Sequence, residues 1–153
     1  MKSYSFLSKI PKNWLEVSRE ELEGLGVFEN EEYKLIGAYF ANEQIIFFHE
    51  YPEIPDFLDE LKEAYLDLFI HDKTSQKSEV MDSVLVELGE FNGQKFLFYV
   101  SNIEGGNKLS LQIFCQVENK NFGVVTAIDF EKSLNFEKIA NISHVNQILK
   151  LFT

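Results

Sequence analysis

Hydrophobic and polar positions alternate along much of the chain, which is the pattern of half-buried β-strands. Two apolar runs at residues 33–41 and 44–51, separated by Asn42-Glu43, predict a hairpin. Residues 3–10 also alternate and end at Pro11, which predicts a short first strand. Four further strand-like runs with Asn- and Gly-rich turns between them predict an antiparallel meander; they cover residues 80–88, 95–101, 109–117 and 122–130.

Three segments have helical spacing instead. Ser18 and Glu21 form a Ser-x-x-Glu capping pattern, which predicts a short helical turn that ends near Gly24. Residues 135–152 carry an apolar helical stripe and predict one long terminal helix. From Asp56 onward, apolar residues recur at three- and four-residue steps and predict a central helix; they are Phe57, Leu58, Leu61, Tyr65, Leu68 and Phe69.

The runs at residues 95–101 and 122–130 are apolar on both faces, so both faces of the sheet need cover. The two long helices can supply it. We therefore predict one α+β domain over residues 1–153, with a mostly antiparallel six-stranded sheet flanked by helices in an α/β/α sandwich. A face that the helices leave half covered would favour a homodimer.

The chain has 25 acidic against 14 basic residues, a net charge of −11. A phosphate backbone or an anionic membrane would be repelled, so we expect neither as a partner. Residues 1–72 hold 16 of the acids and only 6 of the bases. This field either keeps the protein soluble or steers a basic protein partner onto the N-terminal half.

The most suggestive charged feature is a series of carboxylates before and along the central helix. Either they form a solvated helix face or they form a docking ridge for a basic protein. The candidate ridge consists of Glu53, Asp56, Asp59, Glu60, Glu63 and Asp67.

No motif predicts catalysis, a cofactor or a metal. His49-Glu50 lacks the second histidine of a zinc-protease helix, and a metal site joining His49 to Glu50, Glu53 or Asp56 is the weaker alternative to a structural histidine. His144 is expected on or beside a polar face of the terminal helix. Cys115 falls on the apolar face of its strand, which favours a buried small hydrophobe over a nucleophile. The single cysteine and the absence of a secretory signal pattern favour the cytoplasm.

Aromatic residues support a rival function, a small-ligand module or enzyme with a pocket between the sheet and a helix. The sequence does not decide whether the protein is an enzyme, and the lack of a catalytic motif favours a non-enzymatic role. The candidate pocket residues are Tyr39, Phe48, Tyr65, Phe98 and Tyr99.

The order of these features resembles the PsbP-like superfamily, which includes bacterial DcrB-type and uncharacterised members. The residues that carry the resemblance are the Ile-Pro-x-x-Trp of residues 10–14, the Gly-Gln-Lys-Phe of residues 93–96, Tyr99, the strand near Phe122 and the Ile-Leu-x-x-Phe of residues 148–152. The resemblance implies an α/β/α sandwich and accessory, protein-binding roles without a shared enzymatic site. Our leading hypothesis is therefore a non-enzymatic protein-binding domain, of inhibitor or immunity type, that docks a basic partner.

Overall fold

A computed structural model describes residues 4–24, 34–74, 83–102 and 107–153, with the backbone alone for residues 71–74. Within these ranges the fold is α+β, as predicted, and its one sheet is antiparallel throughout. Seven described strands form it in the order β1-β2-β3-β7-β6-β5-β4. They are β1 (Leu15–Glu16), β2 (Lys34–Ala41), β3 (Gln44–Tyr51), β4 (Ser83–Phe91), β5 (Gln94–Asn102), β6 (Lys108–Val117) and β7 (Lys120–Asp129).

The predicted count of six strands for the sheet was one short: the predicted hairpin and meander correspond to six strands, β2 to β7, and β1 is a seventh for which the sequence shows no strand pattern. This two-residue strand pairs at the edge of the sheet, Leu15 with Phe40 and Glu16 with Tyr39. Only the long-range pairing with β2 defines it, and two residues are too few to show a period.

The predicted hairpin between β2 and β3 is confirmed, as is the turn between β4 and β5. Both use two-residue turns with positive φ, which match the twist of the flanking strands. A third such turn joins β6 to β7, within the gap between the predicted strands at residues 109–117 and 122–130. The turn residues are Asn42 (φ 50°) with Glu43 (63°), Asn92 (50°) with Gly93 (81°), and Glu118 (52°) with Asn119 (65°). The turn predicted around Gly105 and Gly106 lies outside the described residues.

Four α-helices occur in the described ranges: α1 (Arg19–Gly24), α2 (Phe57–Thr74), α3 (Phe136–Ala140) and α4 (Ser143–Leu151). The predicted capping of α1 is confirmed, since the Glu21 amide donates to Ser18 Oγ (3.2 Å) and the Ser18 amide donates to Glu21 Oε1 (3.3 Å). Among these helices, α2 is the predicted central helix.

The first predicted strand was wrong: Ser5–Lys9 form a 3₁₀ helix. Its turns close through the Leu7 amide on the Tyr4 carbonyl (3.1 Å) and the Ile10 amide on the Leu7 carbonyl (3.4 Å). The helical turn buries the ring of Phe6 against β3, β7 and the end of the chain; its centroid lies 4.8–5.5 Å from those of Phe48, Phe122 and Phe152. Aromatic packing therefore overrides the short alternating pattern that predicted a strand here.

The prediction of a single terminal helix was also wrong, because the helical conformation is interrupted between α3 and α4. Ile142 is extended (φ −65°, ψ 131°), and the Asn146 amide group donates to the Ala140 carbonyl at 3.2 Å, which satisfies one acceptor at the end of α3. The break lets α3 stack Phe136 on Phe98, with ring centroids 4.3 Å apart.

The helices pack through two separate apolar clusters. The larger cluster joins the 3₁₀ helix, α3 and α4 to strand residues such as Phe48 and Phe98. The smaller cluster joins α2 to Leu97 and Phe114, with Tyr65 of α2 stacked on Tyr99. Phe98 and Tyr99 are neighbours in β5, so their side chains point to opposite faces of the sheet.

Candidate protein-binding surface

Helix α2 is held on the sheet by its aromatic side, and this determines which of its side chains reach solvent. Phe57 is 1% exposed and packs against Phe114, with ring centroids 6.2 Å apart. Tyr65 stacks on Tyr99 at 4.1 Å, and its hydroxyl donates to Gln112 Oε1 at 2.9 Å. Residues three to four positions apart share one side of a helix, so Leu58 and Leu61 pack on the same cluster, whereas Asp59, Glu60 and Glu63 are exposed.

We call the six predicted docking carboxylates the acidic ridge: Glu53, Asp56, Asp59, Glu60, Glu63 and Asp67. All six side chains are exposed. Glu53 and Asp56 precede the helix, and the Asp56 carbonyl accepts from the Glu60 amide at 2.8 Å. The other four lie on α2 itself, where the spacing of residues 59, 63 and 67 places three carboxylates on adjacent turns.

Within the described ranges the ridge carboxylates form no ion pair, whereas Lys108 and Asp129 do form one, with an N–O distance of 3.8 Å. Like charges at i and i+4 destabilise a helix by about 0.2–0.5 kcal/mol per pair. Asp59 with Glu63 and Glu63 with Asp67 form two such pairs. A cationic partner would remove this repulsion.

Glu50 precedes the ridge in the sequence, but its side chain points to the sheet face opposite α2. It accepts a hydrogen bond from the Tyr4 hydroxyl across the opposite face of the sheet. Burial, together with this hydrogen bond and the charge of Glu50, raises the pKa of Tyr4 to about 12. Tyr51 is half-buried against Phe57 and Phe114.

The five aromatic residues of the rival ligand-pocket hypothesis do not converge on one space. Phe48 and Phe98 belong to the larger cluster, with Tyr39 packed against it at 5.9 Å from Phe48. Tyr65 and Tyr99 stack on each other on the opposite face. Each group fills its own side of the sheet.

A cavity of about 270 Å³ lies elsewhere, between the 3₁₀ helix, the β6–β7 turn and the end of the chain. Aromatic rings of Tyr4, Phe6, Phe122 and Phe152 line it. The ammonium group of Lys120 lies 5.2 Å from the Tyr4 ring centroid, a cation–π distance. None of the five residues of the rival hypothesis contributes to its described lining.

The alternative metal site at His49 is not assembled. His49 and Glu50 are neighbours in β3, so they point to opposite faces, and Glu50 bonds to Tyr4. Glu53 and Asp56 are exposed in the loop that follows, whereas His49 is 8% exposed. Burial of the imidazole lowers the pKa of His49 to about 4.

This burial predicts a pH-dependent stability. As the pH falls below about 6.5, His49 takes up a proton in the unfolded chain but not in the folded one, so the free energy of unfolding decreases until the folded pKa is reached. We expect His49 to account for a loss of about 1 kcal/mol between pH 7.5 and pH 5.5. Urea denaturation of the wild type and His49→Gln at both pH values measures it, since carboxylates contribute equally to the two proteins. Equal losses in both would contradict the prediction.

The other histidine and the cysteine that the structure describes are structural. His144, expected beside a polar face, is instead 4% exposed, with Nε2 2.9 Å from the Ala127 carbonyl oxygen. Burial lowers its pKa. Cys115 is 1% exposed, as predicted, and burial raises the pKa of its thiol, which removes the thiolate needed for nucleophilic chemistry. The side chain of His71 lies outside the described residues.

The sequence did not single out two apolar side chains that the structure exposes. Leu15 is 66% exposed and Phe40 is 45% exposed, and they form a direct cross-strand pair. Phe40 lies in an apolar run that reads as core, and Leu15 lies in a segment without a period. The sequence therefore carries no pattern that would mark these two side chains as exposed, because their exposure depends on the position of β1 at the edge of the sheet.

In the described part of the chain, no helix is both long enough and apolar enough to cross a bilayer. No protein-family model and no curated protein matches this sequence.

Proposed function

We propose that this protein is a non-enzymatic, cytoplasmic binding domain that docks a basic partner protein through the acidic ridge, in the manner of an inhibitor or immunity protein. The proposal includes an α/β/α sandwich of PsbP-like type, supported by the packing of α2 opposite α3 and α4. The net charge of −11 and its concentration in the N-terminal half support a positively charged partner.

The observation that carries the proposal is the position of Glu63 and Asp67. Carboxylates in the first turn of a helix interact favourably with its dipole, which accounts for Asp59 and Glu60. Glu63 and Asp67 lie beyond that turn, repel each other, and have no ion pair within the described ranges. Their placement costs helix stability, and binding a cationic surface would offset that cost.

The test reverses three ridge charges together, as Asp59→Lys, Glu60→Lys and Glu63→Lys. Tagged wild type is used to capture proteins from lysate of its native cells at low salt, and a retained partner is identified by mass spectrometry. We expect a basic partner that is released at high salt and whose affinity falls at least about tenfold in the triple variant. Circular dichroism checks that the variant is folded.

A matched control reverses three exposed carboxylates of the C-terminal half, Glu118→Lys, Glu131→Lys and Glu137→Lys. This control changes the net charge by the same amount, and it also includes one first-turn acid, Glu137 of α3. We expect it to retain the partner. Equal losses in both triple variants would show a general charge effect, and binding insensitive to salt would overturn the proposal.

A further inference from the structure

We propose that the partner also inserts apolar side chains onto a second surface, here called the apolar strip, formed by Leu15, Phe40, Ile45, Phe47 and Val125. This inference rests on the proposed function, and it specifies the partner as an amphipathic basic segment. The strip lies on the sheet face that α2 covers only in part.

Strand register places the strip on one face. Leu15 pairs with Phe40 and Phe40 with Ile45, so these three side chains form one row across β1, β2 and β3. In the next row, Phe47 pairs with Val125 across β3 and β7. Directly paired side chains have Cβ atoms about 4.5–5.5 Å apart, so each row is a continuous apolar surface.

The same register shows where α2 stops covering this face. Val125 pairs with Gln112, and Gln112 pairs with Tyr99, which lies beneath Tyr65 of α2. Exposure on this face is highest at the edge of the sheet: Tyr99 is 1% exposed, Phe47 and Val125 are partly exposed, Phe40 is 45% exposed and Leu15 66% exposed. Ala38, which pairs with Phe47 on the same face, is fully buried. A contiguous exposed apolar patch is typical of an interaction site.

The charge around the strip indicates which occupant it favours. Exposed Glu43 lies in the turn between Phe40 and Ile45, and α1, which follows β1 in the chain, carries three more exposed carboxylates. Glu16 pairs with Tyr39 and points to the opposite face. Without Glu16, residues 12–24 together with this turn hold four acids against two bases. A second copy of the chain would bring two such acidic rims together, whereas lysines and arginines beside apolar side chains would complement both features.

The experiment uses two synthetic 18-residue helical peptides with identical lysine positions, one with leucines on its second face and one with serines there. Titration calorimetry measures both against the wild type, Phe40→Ser, Leu15→Ser/Phe40→Ser, and the triple ridge variant. We call the two peptides Leu/Lys and Ser/Lys after the residues on their two faces. We expect the Kd of the wild type for the Leu/Lys peptide to be lower than that for the Ser/Lys peptide by about tenfold or more. The double variant should lose this preference and still bind the Ser/Lys peptide as the wild type does.

Phe130→Ser is the matched control, because Phe130 is 63% exposed but lies outside the strip. It should keep the preference for the Leu/Lys peptide. A preference that persists in the double variant, or that is lost equally in Phe130→Ser, would overturn the proposal of the apolar strip. If the triple ridge variant binds both peptides as the wild type does, the acidic ridge fails independently.

Sedimentation equilibrium tests the competing occupant. We expect a monomer at micromolar concentrations, unchanged by Phe40→Ser. A dimer that Phe40→Ser dissociates, while Phe130→Ser does not, would assign the strip to a second copy of this chain and overturn the proposal.

Discussion

Replacing Phe48 with alanine should lower the free energy of unfolding by about 3–5 kcal/mol, the range for truncating a buried phenylalanine. Phe48 is 1% exposed, and its ring centroid lies 5.5 Å from that of Phe6, 6.4 Å from that of Phe152 and 5.9 Å from that of Tyr39. The substitution therefore removes contacts of β3 with the 3₁₀ helix, the end of the chain and β2 at once. Guanidinium denaturation measures the change.

Phe40→Ala is the matched control, because Phe40 lies on the neighbouring strand but is 45% exposed. We expect a loss below about 1 kcal/mol for this variant. Phe48→Leu should fall between the two, because it retains part of the buried volume. Similar losses for Phe48→Ala and Phe40→Ala would show that the larger cluster does not hold the fold as described.

The second large effect concerns Gly89 in β4. A Cβ atom at this position would lie 2.4–2.5 Å from ring atoms of Phe136. The ring cannot easily withdraw, because it stacks on the fully buried Phe98 at 4.3 Å. We expect Gly89→Ala to destabilise the protein by about 1–3 kcal/mol, as overpacked cores do, measured by thermal and urea denaturation.

Gly37→Ala provides the comparison at a strand position with space. The nearest atom to its added Cβ, Cε2 of Tyr39, is 3.7 Å away, an ordinary contact. Alanine there should be neutral or slightly stabilising, because glycine in a strand has a conformational entropy cost. Combining Gly89→Ala with Phe136→Leu should recover part of the loss. If the two glycine variants behave alike, the steric explanation is wrong.

Much of the central architecture could be predicted because it depends on neighbouring residues. The Asn42-Glu43 and Asn92-Gly93 turns adopt positive φ, to which Asn42, Asn92 and Gly93 are suited, and each turn joins strands that pair with each other. Cys115 was placed correctly because the odd-numbered positions of β6 are apolar and the even-numbered ones mostly polar, with Phe114 as the exception. The outward direction of Asp59 and Glu63 follows from the helical period of α2 in the same way.

Predictions failed where local pattern left more than one conformation open. Tyr4 and Phe6 suit a strand or a 3₁₀ turn, and packing of Phe6 on Phe122 and Phe152 selects the turn. The stripe at residues 135–152 suits one helix, yet the chain breaks at Ile142. His144 seemed polar by its neighbours, but α4 brings its ring to the Ala127 carbonyl.

The sequence by itself determined the α+β class, the hairpins, the period of α2 and the negative charge of the N-terminal half, because each depends on residues within a few positions of one another. Tertiary structure alone decided the pairing of β3 with β7, the edge position of β1 and the partial cover that α2 gives one sheet face. These features depend on contacts between residues up to about 80 positions apart, such as Phe47 with Val125. Local periodicity records which side chains share a face, but only the packed fold decides which part of that face reaches solvent.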